Sequence, residues 1–254
     1  MLRDFTQEKF DIIIQAGQSN AQGIGEGLAK EPYVPDEKVL YLNRDFTIST
    51  ACETVEGNEI RANFSLTFAR AYINAGMLET GRKILVLRAA VGGTGFSDKR
   101  WGMEDDLYLK MMEMIRTTLS MNPENRLVAL LWHQGETDAT HKATYEGHYA
   151  NLMNLVNSVK TTFDVENLPF IAGDFVQDWK SANLEICTPV VDAIRAVCRD
   201  ISRGGFVETD GLLSNAQAMP DNPRSQNDTI HFTREAIYEL GIRYFDCFTS
   251  IISA

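Results

Sequence analysis

The chain has 254 residues, 44% of them apolar and 23% charged, which suits a large packed core and excludes a disordered or collagen-like polymer. Its 24 lysines and arginines stand against 35 aspartates and glutamates, a net charge of −11. So acidic a surface repels phosphate backbones and anionic lipid, so neither nucleic acid nor a membrane surface is expected as a partner.

Four cysteines (Cys52, Cys187, Cys198, Cys247) are scattered without a C-x-x-C pair, so neither a metal site nor a disulfide framework is expected. Reduced thiols are the natural reading. The N-terminal run MLRDFTQEKFDIII carries acids where a signal peptide needs positive charge and then a long apolar segment, which points to a cytoplasmic protein. No apolar stretch reaches the ~18 residues that span a bilayer. Without a linker, charge block or repeat, and with seven prolines, residues 1–254 read as a single domain.

Taken in chain order, a strand is predicted over 10–16 (FDIIIQA), a second over 38–42, a helix over 64–77, a strand over 83–89 and a helix over 107–120. A strand over 126–132 (RLVALLW) follows, then a helix between 140 and 163. In that helix Tyr145, Tyr149, Leu152, Val156, Val159 and Phe163 recur at steps of four and three. A strand over 169–172, a helix over 183–199, a sixth strand candidate over 205–208 and a helix over 234–252 complete the series. Apolar runs this continuous suit strands covered on both faces. Their alternation with helices predicts an α/β fold, a parallel sheet of about five strands between two helical layers. In such sheets the site lies beyond the carboxyl ends of the strands.

Gly17-Gln18-Ser19-Asn20 follows the first strand. A serine on a strand-to-loop turn can present its hydroxyl and its own N–H to one point, as a nucleophile with an oxyanion donor requires. A polar turn or a helix N-cap would use the same residues. Gly92-Gly93-Thr94 follows the third strand, where glycines let a ligand approach the backbone, or simply let a loop turn. No phosphate-loop pattern accompanies them. His133-Gln134-Gly135-Glu136-Thr137-Asp138 ends the fourth strand. Gln134 could donate to an oxyanion, and no third metal ligand clusters with His133 and Glu136. Asp228 precedes His231 by three residues, close enough for its carboxylate to reach Nδ1–H and leave Nε2 free to take a hydroxyl proton. His141 and His148 read as surface or packing residues.

Together, in this order, the blocks GQSN (17–20), GGT with a downstream Trp101, HQGE-x-D (133–138) and D-x-x-HF (228–232) resemble the SGNH hydrolase superfamily. The closer resemblance is to its sialate O-acetylesterase and acetylxylan esterase branch, carbohydrate esterase family 6. It spans residues 17–232 and implies a flavodoxin-like three-layer α/β/α sandwich. It implies Ser19 as nucleophile, His231 as general acid/base and Asp228 as the carboxylate orienting it. The oxyanion hole would combine the Ser19 N–H, a backbone N–H from Gly92 or, preferably, Gly93, and the Gln134 side chain. Gln18, Asn20, Gly92, Thr94, Trp101, His133 and Glu136 would bind substrate or support the site. Ala21 stands where many relatives have Met, and Gly95-Phe96-Ser97 departs from the commoner continuation of the GGT block.

The implied activity removes O-acetyl groups from carbohydrates such as sialic acid or xylo-oligosaccharides through an acetyl-serine, with no metal or organic cofactor. Its partner is then an acetylated small-molecule carbohydrate, while the oligomeric state stays open. Phe96, Trp101 and Trp132 could shape a small acyl pocket, although large aromatics are more commonly core. A lipase or thioesterase with the same triad, a non-catalytic carbohydrate-binding protein and a scaffold are the alternatives.

Overall fold

The computed structural model describes residues 5–57 and 59–253. In chain order the elements are β1 (Lys9–Gly17), α1 (Ser19–Gln22), β2 (Val39–Leu42), β3 (Ile48–Thr50), β4 (Thr54–Glu56), β5 (Glu59–Arg61), α2 (Phe64–Asn74), β6 (Arg82–Arg88) and α3 (Asp106–Met121). They continue with β7 (Arg126–His133), α4 (Glu136–Thr140), α5 (Tyr145–Thr162), β8 (Phe170–Gly173), α6 (Gln177–Ala182), α7 (Leu184–Asp200), β9 (Gly204–Val207), α8 (Asn215–Ala218) and α9 (Arg234–Ser253).

Seven strands form the main sheet in the order β3-β2-β6-β1-β7-β8-β9. Only the edge strand β3 runs antiparallel; the other neighbours pair in parallel. The expectation of about five strands is therefore corrected to seven. The candidate at 205–208 is β9, and β3 is a three-residue exposed edge without an apolar pattern to announce it.

The apolar run of β1 is read differently on alternate residues. Phe10, Ile12 and Ile14 pack into a core beneath α3, α5 and α7, with Met111, Leu152 and Val190. Ile13 enters the opposite core beneath α2 and α9, with Phe68 and Phe245. A strand buried on both faces needs apolar residues at every step, which is why period-2 alternation is missing. Its one carboxylate, Asp11, is fully buried at the amino end and takes hydrogen bonds from Arg82 Nε (2.7 Å), Arg126 Nε (2.7 Å) and Tyr72 OH (2.9 Å). That satisfies a buried charge that would otherwise be costly.

Helix starts follow local chemistry. Asn63 caps α2 by accepting from Ser65 N (3.1 Å), and Thr144 caps α5 by accepting from Gly147 N (3.1 Å). The helix predicted between 140 and 163 is the single helix α5, which starts only at its Thr144 cap, with the short α4 as a separate turn before it. No helix among the described residues is long and apolar enough to cross a membrane.

Successive parallel strands β6 and β7 lie on opposite sides of β1. The segments leaving the carboxyl ends of β1, β6 and β7 therefore converge, at the position where open α/β sheets bind ligands.

Candidate active site

Gly17 makes the convergence tight. Its φ of +125° lies in the region that favours glycine, and a Cβ there would fall 2.2 Å from His133 O. The turn thus lies flat on the end of β7, with Gln18 N donating to His133 O at 2.9 Å. Ser19 then opens α1, so its N–H is one of those that find no partner inside the helix.

Across from it, His231 Nε2 stands 3.0 Å from Ser19 Oγ, and His231 Nδ1 stands 2.7 Å from Asp228 Oδ1. The second Asp228 oxygen accepts from Asn215 Nδ2 at 2.9 Å. Burial works against the Asp228 charge, but the hydrogen bonds from His231 and Asn215 outweigh it and hold the carboxyl below the ordinary aspartate range. Asp228 therefore accepts from Nδ1–H, which leaves Nε2 as the acceptor facing the serine hydroxyl. The loop carrying both residues is pinned by backbone bonds, Asn215 N to His231 O (2.9 Å) and Ala216 N to Asp228 O (3.0 Å).

Asn20 ties this loop to the serine turn. It donates from Nδ2 to Ile230 O (3.0 Å) and to Glu136 Oε1 (2.9 Å), while its Oδ1 accepts from Phe232 N (3.3 Å). The contacts on the histidine loop flank His231 on both sides. Glu136 is buried, with Oε2 lacking a partner among the described residues; burial pushes its carboxyl above the ordinary glutamate range despite Asn20 and His231. Gln18 uses its side-chain carbonyl to accept from Thr137 N at 3.1 Å.

A cavity of about 480 Å³ opens over Ser19 and His231. Gln18, Gln22, Arg61, Glu136, Thr137 and Thr140 supply most of its polar lining, with Gly92 and Gly93 on one wall and Ile24 and Ile230 as its large apolar residues. Gly92 N is taken by Gln22 Oε1 at 2.7 Å. Gly93 N has no partner among the described residues, which makes Gly93 the available donor of the pair.

Other expected site residues point elsewhere. Gln134 is fully buried, and its Nε2 donates to Asp138 Oδ2 (2.7 Å) and Thr94 O (3.3 Å). Both of its N–H groups are thereby occupied, so the assignment of Gln134 as third oxyanion donor is corrected: it braces the glycine loop from behind. His133 faces the core, with Nδ1 3.1 Å from Tyr244 OH. Burial pushes its pKa down to about 3, so the ring stays neutral. Trp101 and Trp132 are fully buried and meet edge-on at 5.0 Å, with Phe96 stacked on Trp132 at 5.9 Å. Trp101 Nε1 donates to Thr94 Oγ1 (3.0 Å), which itself donates to Val91 O (2.7 Å). These aromatics belong to the core, and none of His133, Thr94 or Trp101 lines the cavity.

Asn215, Arg61 and Gln22 are the site residues that sequence reasoning missed, and Asp138, the last residue of the HQGE-x-D block, was given no role there. Asp138 is fully buried and accepts from Ser97 N (2.7 Å) and Phe96 N (3.2 Å), with His148 Nδ1 at 3.4 Å. It thus anchors the glycine loop, and a Cβ on Gly95 would lie 2.8 Å from its Oδ1. Asn215 follows Ser214, whose pairing with Gln217 is a legible capping box, but nothing local ties it to Asp228.

A family model described as carbohydrate esterase, sialic acid-specific acetylesterase, matches residues 9–250. The chain belongs to this family. As a sialic acid-specific acetylesterase family member it is a carboxylic ester hydrolase. A probable carbohydrate esterase of Arabidopsis thaliana is 25% identical over 265 residues, covering 94% of this chain and 90% of the relative. A probable 9-O-acetyl-N-acetylneuraminic acid deacetylase of Escherichia coli K12 is 26% identical over 89 residues, 32% of this chain and 27% of that protein. The crystal structure of NanS superposes with a TM-score of 0.83 at 18% identity, over 97% of this chain and 98% of that one. The likeness to NanS is one of fold, over nearly the whole of both chains.

Proposed function

We propose that this single-domain protein deacetylates O-acetylated carbohydrates by two-step acyl transfer through Ser19. The observation that carries the reading is the unbroken relay Asp228–His231–Ser19, with contacts of 2.7 and 3.0 Å. His231 Nε2 takes the hydroxyl proton as Ser19 Oγ attacks the acetyl carbonyl. The developing oxyanion is held by the Ser19 and Gly93 N–H groups, donors fixed before reaction begins. Collapse of the tetrahedral species breaks the ester bond, and His231 returns the proton to the departing sugar oxygen. Water, deprotonated by the same Nε2, then attacks the acetyl-serine, releasing acetate and restoring the hydroxyl. Asp228 stays ionised, keeping the imidazole in the useful tautomer and offsetting its transient positive charge.

Gln18, Gln22, Arg61, Thr137 and Thr140 around the cavity offer hydrogen-bond partners to a hydroxylated leaving group, which supports a sugar at this position. Ser19→Ala is expected to abolish acetate release from acetylated sugars and hydrolysis of 4-nitrophenyl acetate with the melting temperature unchanged. A variant keeping more than a few per cent of activity would remove Ser19 from the mechanism. Rates that climbed from acetate to octanoate esters would transfer the enzyme to the lipase class.

A further inference from the structure

A second cavity of about 220 Å³ lies at the carboxyl ends of β2 and β6. Gln22 lines both cavities, and Val91 on this wall is followed directly by Gly92 and Gly93 on the catalytic wall. The two spaces are thus neighbours, separated by one side chain and one loop step. Their charges differ. The smaller cavity is lined by Arg44 and Arg88 together with Gln15, Gln22 and Asn43, and by no carboxylate.

Both arginines are available to a ligand. Arg88 donates from Nη2 to Gln22 O at 3.2 Å and lies over the Tyr41 ring at 4.9 Å, without a carboxylate partner among the described residues. Arg44 is exposed and has no ion pair among the described residues. The nearby acids have their hydrogen bonds elsewhere: Asp45 accepts from Thr47, and Asp106 is held bidentately by Arg100 at 2.7 and 2.9 Å, with Arg44 adding only a weaker attraction to Asp106. Arg61 in the catalytic cavity is different. It is paired with Glu26 at 3.0 Å and also with Glu56, which neutralises it. On a chain of net charge −11, two unpaired guanidinium groups beside the nucleophile make a local field that attracts anions.

We propose that Arg44 and Arg88 form a carboxylate subsite that holds the acid group of an O-acetylated sugar acid while its acetyl ester lies at Ser19. The guanidinium fork matches the two oxygens of a carboxylate, and the exposed Arg44 can move to meet it. Gln22, between the two cavities, faces the sugar that bridges them. This assignment rests on the acetylesterase reading above and adds to it the two residues that would hold the substrate's carboxylate.

The test compares 9-O-acetyl-N-acetylneuraminic acid with its methyl ester, the same sugar with its charge masked, by acetate release. The wild-type enzyme is expected to favour the acid in kcat/KM by about tenfold or more, the effect of losing a charge-assisted contact. Arg44→Gln and Arg88→Gln should each shrink that preference, chiefly through KM, and added salt should narrow it in the wild type. Arg44 is exposed and makes no contact the fold needs, so its variant tests the subsite even where Arg88→Gln lowers the melting temperature. Equal rates on acid and methyl ester in the wild type, or a preference that survives both substitutions, would overturn the subsite. Ser19→Ala separates the two readings: residual deacetylation there defeats the serine mechanism, whereas an inactive Ser19→Ala beside a charge-blind wild type defeats the subsite alone.

Discussion

Strands β1 and β7 are hydrogen-bonded neighbours that end at the same level, with Gly17 opposite His133, and each runs into a block of polar residues. After β1 the block stays near the surface: Ser19 lines the cavity and Asn20 grips the histidine loop. After β7 the block turns inward. His133, Gln134 and Asp138 are all fully buried, and of the stretch only Glu136 and Thr137 reach the cavity. Polar side chains thus build a reacting group at one strand end and a brace at the next. A polar strand end in an α/β protein is a candidate site, but the direction of the following turn decides what it does.

The comparison breaks most sharply at the carboxylates. Asp228 touches His231 directly, whereas Glu136 reaches it only through Asn20. Asp228→Asn should lower kcat by up to the ~10⁴ that the same change costs a serine-protease triad, because an amide selects the wrong tautomer. Glu136→Gln keeps an acceptor for Asn20 and should cost far less. Steady-state kinetics of both variants decide the matter, and a dead Glu136→Gln beside a near-normal Asp228→Asn would exchange the roles.

Asn20 comes next. Removing its amide frees the histidine loop from the serine turn, so Asn20→Ala should lower kcat by about 10²-fold, the scale of a misplaced catalytic group, with a smaller change in KM. Labelling of Ser19 by an organophosphonate should slow in parallel. A variant that lost only thermal stability, with labelling and kcat unchanged in its folded fraction, would leave Asn20 a packing residue.

Gln134 sharpens the contrast further. An oxyanion donor would lose ~10²–10³ in rate on truncation at constant stability. A brace whose N–H groups go to Asp138 and Thr94 should instead lower the melting temperature, because Gln134→Ala leaves a buried carboxylate short of a donor. An unaltered melting temperature with a large rate loss would return Gln134 to the oxyanion hole.

Much of this was legible in the residues. Apolar runs gave the inner strands, and the i, i+3 spacing of Asp228 and His231 foretold a contact that a single turn can make. Unread was whatever depends on which way a side chain leaves a strand end. Gln134 and Ser19 are equally polar and equally placed, and only tertiary packing turns one to the cavity and the other to the core. The edge strand β3 was missed because an exposed three-residue strand has no core face to pattern it. Arg44 and Arg88 carry no motif at all; their meaning comes from lining a cavity that no carboxylate lines, which is a property of the folded surface.

The smallest expected effect tests the buried block through stability. Tyr244 OH donates to Trp132 O at 2.7 Å, so it must accept from His133 Nδ1–H, which leaves Nε2 without a partner among the described residues. Burial pushes the folded-state pKa down to about 3, while an unfolded histidine titrates near ~6.5. Between those values the unfolded chain binds more protons, so stability rises with pH. His133 therefore contributes nothing to the slope above ~6.5 and costs stability progressively as pH falls toward 3, by a few kcal/mol at ~1.4 per pH unit. Asp138, also held below its ordinary range, adds its own loss only below ~4. The window from about pH 6.5 to 4.5 thus isolates the histidine from that carboxylate. His133→Phe should flatten the fall in denaturation midpoint across this window, whatever it does to stability at pH 7.5. A variant that keeps the wild-type slope would mean that His133 is protonated in the folded state, and hence that the block behind the site is wetter than its packing implies.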